Sequence, residues 1–223
     1  MATLLPQELR VNFTSDWKGH FDGLDLDRRV LEETGYRLFP WKLPSANPWW
    51  HRSLRRGEVG CALSHLACWR DAGANHERFA VVLEDDVTLA PDFLQRLLGG
   101  VRWLACHGHA FDLLYLGRCP RGRDRPMVPG LVVPGFSYGT FGYLLSGSGV
   151  EAILGAGLGQ AILPVDEFLP AMYVDHPRPD VRARFPRRLT ALAFDPPLVE
   201  ELPKQAAGSD TRSSDFIDGP PDG

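Results

Sequence analysis

The feature that most constrains the fold is a short apolar run that leads directly into acidic residues. The run Phe79–Leu83 contains no polar residue, which is typical of a strand buried on both faces of a parallel sheet. Apolar residues recur at helical spacing before it, and this pattern predicts a helix over 58–72. These residues are Val59, Ala62, Leu63, Leu66 and Trp69. A buried strand that follows an amphipathic helix indicates an α/β domain.

Strand and helix patterns alternate along the rest of the chain. The expected strands are 9–13, 36–41, 111–116, 138–145 and 189–194, and the expected helices are 26–34, 91–98, 147–154 and 166–173. Gly99 is expected to end its helix, while Ser146 and Asp166 are expected N-caps. A chain of 223 residues then predicts one three-layer domain over 1–202, built on a mostly parallel sheet. Residues 203–223 are expected to form a polar tail, disordered in part.

Composition excludes several functional classes. The net charge of −4 argues against a general nucleic-acid binder, which needs a basic surplus to meet phosphates. No apolar run is long enough for a transmembrane helix, and the N-terminus shows no signal peptide. The four cysteines form no C-x-x-C pair, which suits reduced thiols. These features predict a cytoplasmic protein or one peripheral to the inner membrane, and they leave the oligomeric state open.

The acidic triplet Glu84-Asp85-Asp86 is the main candidate for chemistry. It follows the apolar strand, and in open α/β sheets ligands bind at the carboxyl ends of the strands. Three neighbouring carboxylates repel one another unless a cation or protons offset the charge. Oxygen ligands select hard cations such as Mg²⁺ or Mn²⁺, which can bridge a nucleotide diphosphate. The simpler interpretation is a solvated strand end with Asp as a turn former.

Two further segments contain candidate residues whose interpretation stays open. Asp166 and Glu167 could cap a helix and favour its dipole, or one of them could be a general base. The two glycines in the aromatic segment Tyr138–Tyr143 indicate close approach of a neighbouring element or of a ligand.

Cysteine and tryptophan side chains offer two weaker candidates. Cys61, His65 and Cys68 fall on one helix face, but core packing explains them better than a soft-metal site does. Trp49 and Trp50 either stack on a sugar or cover the core.

Several motifs together resemble the signature of glycosyltransferase family 25. They are Gly57-Glu-Val-Gly-Cys-Ala-Leu-Ser-His65 with Trp69, Val82-Leu-Glu-Asp-Asp-Val87, Gly139-Thr-Phe-Gly-Tyr-Leu-Leu-Ser146, Pro164-Val-Asp-Glu-Phe-Leu169 and Ser209-Asp-Thr211. They occur in order over roughly residues 57–215. That family holds lipooligosaccharide galactosyltransferases and procollagen galactosyltransferases.

The resemblance implies a GT-A-type, Rossmann-like fold, a UDP-sugar donor, commonly UDP-galactose, and a Mn²⁺ or Mg²⁺ ion. It also implies hexose transfer, with inversion, to a hydroxyl of a glycan, a lipooligosaccharide or a natural-product scaffold. Asp86 and Glu84 fall at the metal-binding motif, and Asp166 or Glu167 falls where such enzymes place their base. The positions that match donor or substrate contacts are Glu84, Asp85, Ser64, His65, Thr140, Gly142 and Tyr143.

Two departures from the family pattern bear on function. The opening strand that usually reads I-N-L-D-R is represented only by Arg10-Val-Asn-Phe13 and the displaced Leu26-Asp-Arg-Arg29. GT-A enzymes often supply a C-terminal metal-binding histidine, but no histidine lies beyond His176 here. Either Asp210 replaces that ligand, or the metal site is weaker than usual. Two alternatives therefore stand beside the main prediction: a GT-A protein that acts on a different activated substrate, and a non-catalytic member that binds partners.

Overall fold

Helices and strands alternate through the computed structural model, which describes residues 23–203 and 214–218. The helices are α1 (Arg28–Glu33), α2 (Arg56–Ala74), α3 (Phe93–Cys106), α4 (Gly147–Ala156), α5 (Val165–Ala171) and α6 (Pro179–Arg184). The strands are β1 (Phe79–Leu83), β2 (Val87–Leu89), β3 (Leu113–Pro120), β4 (Arg125–Val128), β5 (Gly130–Val133), β6 (Ser137–Ser146), β7 (Ala191–Asp195) and β8 (Val199–Glu201). The strand expected over 9–13 lies outside the described residues.

The main sheet has six strands in the order β1-β6-β3-β7-β5-β4. Among the described strands of this sheet, only β3 and β7 run parallel, and the other four neighbouring pairs are antiparallel. The α/β class is confirmed, whereas the prediction of a mostly parallel sheet is wrong. The physical reason is that β6 inserts between β1 and β3 in the opposite direction. An apolar strand pattern carries no information about the direction of the neighbouring strand.

Strand β1 also lies at an edge of the sheet rather than in its middle. Val81 and Leu83 are 45% and 38% exposed, whereas Leu113 and Leu114 of β3 are fully buried. The apolar run was therefore correctly predicted as a strand but wrongly predicted as buried on both faces. Its composition is the same as that of a central strand, so periodicity alone could not separate the two positions.

Two hydrophobic clusters cover the two faces of the sheet and give the domain three layers. One cluster joins α2, α4 and α5 to the sheet through residues such as Trp69, Ile153 and Phe168. The other joins α3 and β8 to the opposite face through Leu104 and Val199, among others. The three-layer arrangement agrees with the sequence prediction. No helix in residues 23–203 or 214–218 combines the length and apolar character needed to span a membrane.

The sequence prediction placed the end of α3 at a glycine, and this is wrong. The helix passes through Gly99 and continues to Cys106, so the expected cap at Gly99 is wrong. Gly100 instead makes room for the Phe194 ring, since a Cβ there would lie 2.6 Å from the ring. The segment 119–130 was given no strand by the sequence patterns, yet it contains most of the β4–β5 hairpin. The expected strand over 36–41 forms only the isolated bridge Leu38–Ile162.

The C-terminal segment 214–218 packs against the start of α2. Ser214 Oγ accepts a hydrogen bond from the buried N–H of Gly57 at 2.9 Å, and the Ile217 N–H donates to the Leu54 carbonyl. A helix leaves its first N–H groups without intrahelical partners, and this contact satisfies one of them. Part of the predicted tail is therefore attached to the helix that contributes His65.

Candidate functional site

The direction of β6 brings the acidic triplet beside the glycine-containing segment. Leu83 pairs with Gly142, and the Glu84 N–H donates to the Phe141 carbonyl at 3.1 Å, so the ladder continues into the triplet. The acids leave the carboxyl end of β1 where β6 contributes Thr140. Two segments that the sequence singled out separately therefore form one wall of a site.

Glu84 is held by side chains from two elements. Its Oε1 accepts a hydrogen bond from Thr140 Oγ1 at 2.8 Å and lies 3.2 Å from His65 Nε2. His65 projects from the middle of α2 and is buried, so it reaches the carboxylate from the core side. The carboxylate remains partly exposed on the other side.

A chain of hydrogen bonds holds the His65 ring between Tyr143 and Glu84. Trp69 Nε1 can only donate, and it donates to the Tyr143 hydroxyl oxygen at 2.9 Å. The Tyr143 hydroxyl proton is then directed to His65 Nδ1 at 2.7 Å. We assign the remaining ring proton to Nε2, where it is donated to Glu84. Tyr143 is fully buried, so its hydroxyl contacts His65 and Trp69 and is not at the surface.

Cys61 joins His65 and Glu84, and the ligand atoms of the three lie within 4.8 Å of one another. The assigned tautomer leaves no lone pair on His65 Nε2 for a metal. Burial, followed by the carboxylates of Glu84 and Asp166, raises the pKa of the Cys61 thiol well above its usual range, which keeps it protonated. We therefore interpret the trio as a hydrogen-bonded support for Glu84, in line with the sequence preference for packing at Cys61.

Of the three acidic residues, Asp86 most clearly has an acceptor oxygen that a ligand could satisfy. Its Oδ1 is buried and has no hydrogen-bond partner within residues 23–203 and 214–218. Burial, followed by the carboxylates of Glu84 and Glu201, raises the pKa of Asp86. A buried acceptor without a donor among like charges is costly, and a cation would offset that cost. Asp85 is exposed, and Asp210 lies outside the described residues.

Asp166 belongs to the same site and does not cap its helix. Pro164 occupies the N-cap of α5, and Asp166 Oδ1 instead accepts the Gly139 N–H at 3.0 Å. Gly139 has φ +77°, and a Cβ there would lie 2.4 Å from the Phe141 ring, so this position requires glycine. The helix-cap interpretation of Asp166 is therefore wrong, because the side chain turns toward β6.

The environment of Asp166 favours its protonated form. Burial, followed by the charge of Glu84, raises the pKa of Asp166 to about 6 from 3.8. His65 and the Gly139 N–H act in the opposite direction, with smaller effects. A carboxylate with a pKa near 6 can accept a proton at neutral pH and remains a stronger base than an ordinary aspartate.

Glu167 makes contacts of a different kind. Its Oε2 lies 2.6 Å from His176 Nε2, and its Oε1 accepts the Tyr138 hydroxyl at 3.0 Å. His176 is fully buried, and its Nδ1 accepts the Arg178 N–H, so the neutral ring donates from Nε2. Both oxygens of Glu167 are therefore occupied by internal donors, which favours a structural role over that of the base.

A substitution of Glu167 tests whether this residue has a structural role or acts as the base. Glu167→Gln places an amide N–H against His176 Nε2–H, and we expect a stability loss of about 1–3 kcal/mol, measured by urea unfolding. Turnover of the folded variant should change less than tenfold. Glu151→Gln, on the exposed face of α4, is the matched control. A stable Glu167→Gln variant with turnover reduced a hundredfold would return the base assignment to Glu167.

The remaining predicted contacts fall into two groups. Gly142 is buried against Val199, whose side chain a Cβ would meet at 3.1 Å, so this glycine serves the packing of β8 rather than the site. Ser64 is partly exposed on α2 and takes no part in the hydrogen-bond chain described above. Trp50 packs against the core, while Trp49 is 46% exposed and lies over Arg52 at 4.7 Å. Only Trp49 is therefore available for stacking.

Sequence reasoning did not identify two neighbours of the site. His176 contacts Glu167 only because the chain turns after α5, and no spacing rule indicates that contact. Arg121 places its guanidinium 5.6 Å from the Tyr138 ring, whereas nearby Arg118 forms a partly buried ion pair with Asp124. Arg121 is thus a cation beside the site, while Arg118 has a structural role.

Comparisons with a family model and with known proteins point to the same family. The family model described as "Glycosyltransferase family 25 (LPS biosynthesis protein)" matches residues 41–104. Procollagen galactosyltransferase 1-A of Xenopus laevis is 38% identical over 183 residues, which is 79% of this chain and 30% of that protein. Procollagen galactosyltransferase 1 of Danio rerio is 33% identical over 229 residues, 98% of this chain and 36% of that protein.

Relatives of comparable similarity bear a different name. "Inactive glycosyltransferase 25 family member 3" of Homo sapiens is 36% identical over 203 residues, which is 86% of this chain and 33% of that protein. The chain spans about a third of the length of the curated relatives it matches.

Proposed function

Because this chain belongs to glycosyltransferase family 25, we propose that it transfers a hexose, galactose, from a UDP-sugar to an acceptor hydroxyl, with inversion. The acceptor class is a glycan, a lipooligosaccharide or a natural-product scaffold. One observation carries the proposal: Glu84 and Asp166 meet at the amino half of β6, where Thr140 and Gly139 hold one carboxylate each. The carboxylate proposed to bind the cation and the carboxylate proposed as the base therefore both lie against the amino half of β6.

Glu84 and Asp86 fit a hard divalent cation. The buried Asp86 Oδ1 without a described partner is the observation that supports this fit. Mn²⁺ or Mg²⁺ held there would neutralise charge on the diphosphate leaving group. Asp85, exposed beside them, is proposed to face the donor sugar or ribose.

Asp166 is proposed to act as the general base. The Gly139 N–H occupies Oδ1, and Oδ2 has no hydrogen-bond partner among the described residues. The acceptor oxygen would form a bond to the anomeric carbon while the bond from that carbon to the diphosphate breaks. UDP would leave with the bonding electrons, and the hydroxyl proton would pass to Asp166. A base positioned in this way contributes about 10²–10⁴ in rate.

His65 would support the reaction by positioning Glu84. The hydrogen bonds from Trp69 through Tyr143 to His65 hold the imidazole ring with its Nε2 3.2 Å from the Glu84 carboxylate. This arrangement fixes the position of Glu84 Oε1. Preorganised ligands of this kind avoid reorganisation when the cation and donor bind.

The donor prediction can be tested by thermal unfolding. UDP with Mn²⁺ should stabilise the protein by about 2.7 kcal/mol at a hundredfold excess over the dissociation constant, since only the folded state binds. UDP alone and Mn²⁺ alone should each stabilise it much less, because Glu84 and Asp86 would hold the cation that offsets the charge of the diphosphate. ADP with Mn²⁺ is the control for base specificity. The absence of any UDP-dependent shift would contradict the proposed donor.

The relatives named inactive support a second candidate, a non-catalytic member that binds partners. Under this alternative, UDP and Mn²⁺ could still bind while no sugar is transferred. Release of UDP from UDP-galactose, with and without a galactose-accepting glycan, separates the two. We expect acceptor-stimulated release that requires Asp166, and the alternative predicts no release above background.

A further inference from the structure

Arg121 lies on a turn whose backbone is held from two directions. It follows β3 directly, and the Phe136 carbonyl accepts hydrogen bonds from the N–H groups of Arg121 at 2.8 Å and Gly122 at 2.7 Å. A Cβ at Gly122 would lie 2.7 Å from the Phe136 nitrogen, so the close approach of the two segments requires glycine. Further along the turn, Asp124 Oδ1 accepts the Gly135 N–H at 2.9 Å. The backbone of Arg121 is therefore fixed to the segment that leads into β6.

The Arg121 side chain lies over an aromatic surface at the edge of the site. Its guanidinium is 5.6 Å from the centroid of the Tyr138 ring, within the range of a cation–π interaction. The Phe136 ring meets the Tyr138 ring edge-on, with centroids 5.4 Å apart, and both rings are partly exposed. The Tyr138 hydroxyl donates to Glu167 Oε1, which holds the ring in place. An exposed cation and two partly exposed rings therefore form one surface.

The charge of Arg121 is available to a ligand. Arg118 forms an ion pair with Asp124, whereas Arg121 is exposed and forms no ion pair in the part of the chain that the structure describes. A guanidinium offers a planar fork of N–H donors that matches a carboxylate with two parallel hydrogen bonds. A phosphate monoester carries a charge of about −1.5 to −2 at pH 7, so a single arginine matches a carboxylate better.

Contacts along β6 place Arg121 on one side of the proposed base. Three successive residues of the strand each contact one charged group: Tyr138 contacts Arg121, Gly139 contacts Asp166 and Thr140 contacts Glu84. The base is therefore contacted between the guanidinium and the carboxylate proposed to bind the cation. In a transfer with inversion, the acceptor attacks the face of the sugar ring opposite the leaving group. Since the cation side would hold the diphosphate, Arg121 lies toward the acceptor.

We propose that Arg121 binds a carboxylate of the acceptor, so that the protein favours acceptors with an acidic sugar. This inference rests on the proposed function, which defines the acceptor side of the site. The Phe136 and Tyr138 rings would pack against the apolar face of the acceptor sugar while the guanidinium pairs with its carboxylate. The Arg121 charge would also offset the repulsion that Asp166 and its acidic neighbours exert on an anionic acceptor.

Binding of matched glycosides tests this inference. Methyl glucuronide and methyl glucoside differ only in having a carboxylate or a hydroxymethyl group at C5 of the sugar. Each is titrated into the protein, without and with UDP and Mn²⁺, and the dissociation constant is measured by NMR. Wild type should bind the glucuronide about 10–100-fold more tightly than the glucoside, because a hydrogen bond to a charged group has this effect. Methyl glucoside 6-phosphate should bind no more tightly than the glucuronide.

Two arginine variants assign this preference to a residue. Arg121→Gln should bind the glucuronide and the glucoside about equally, since it removes the cation. Arg125→Gln makes the same charge change at an exposed position of β4 and should keep the wild-type preference. The hydrogen bonds that hold the turn come from the backbone of residue 121, so the unfolding temperature of Arg121→Gln should match that of wild type.

The outcomes distinguish this inference from the proposed function. Equal affinity of wild type for glucuronide and glucoside, or a preference that survives in Arg121→Gln, would overturn the carboxylate site. Equal loss in Arg125→Gln would indicate a general charge effect, and tighter binding of the 6-phosphate would overturn the carboxylate class. If Arg121→Gln weakens UDP binding tenfold, the guanidinium serves the donor and the acceptor assignment fails. None of these results removes the proposed transfer, which fails instead if UDP with Mn²⁺ does not bind.

Discussion

Asp166→Asn should lower turnover by about 10²–10⁴ while making the protein more stable at neutral pH. The rate falls because the amide cannot accept the proton of the acceptor hydroxyl. The fold is retained because the amide oxygen can still accept the Gly139 N–H that Asp166 Oδ1 accepts now. Asp175→Asn, at an exposed carboxylate paired with Arg187, is the control for loss of one negative charge.

The stability gain follows from the raised pKa of Asp166. The folded protein binds this proton more tightly than the unfolded chain does, since the pKa is about 6 rather than 3.8. The resulting stability is fully present below pH 3.8 and is lost as the pH rises through about 6. Asp166→Asn removes that loss. Its free energy of unfolding should therefore exceed that of wild type by about 2–3 kcal/mol above pH 6 and should equal it near pH 3.8. Urea unfolding at the two pH values measures the difference.

The raised pKa of Asp166 also predicts how the rate of the wild-type protein changes at acidic pH. A base that must be unprotonated loses activity as the pH falls through about 6, so kcat/KM should decline below that value. A variant that is more stable and much slower would place Asp166 among residues whose strain serves activity. Unchanged turnover in Asp166→Asn would remove Asp166 from the chemistry and direct attention to Glu167.

Asp86→Asn should abolish Mn²⁺-dependent transfer, with a loss of at least about 10³-fold, equivalent to roughly 4 kcal/mol of transition-state stabilisation. Stability without metal should be unchanged or slightly higher, because the substitution removes a repelled charge. Glu200→Gln removes a nearby charge that points to solvent and serves as the control. Rates measured over a range of Mn²⁺ concentrations check the prediction. Full activity in Asp86→Asn, or activity unaffected by a chelator, would exclude the metal role.

Local chemistry could be predicted from the sequence where one segment determines it. The apolar run followed by three acids located a strand end with Glu84 and Asp86, and Ser146 was correctly predicted as a cap, since its Oγ accepts the Gly149 N–H. Helix α2 lies over the expected residues and extends them by two at each end. In each case, the determining interaction lies within a few positions along the chain.

Contacts between segments that are distant in the chain could not be predicted from local sequence patterns. The direction of β6, the packing of β8 and the turn that brings His176 to Glu167 all depend on contacts between distant segments. Asp166 shows the consequence, because a helix-start pattern favours a cap while the actual partner, Gly139, lies 27 positions away.

The antiparallel insertion of β6 also has a consequence for folding kinetics. Among the described strands, β1 pairs only with β6, whose residues follow it by roughly 60 positions. A fragment limited to the family-matched residues 41–104 would therefore expose β1 on both edges. Contacts this distant in sequence slow folding, because the intervening chain must be ordered before they form. We expect the proposed site to be among the last parts of the domain to form, so a truncated or nascent chain that lacks β6 should show no partial activity.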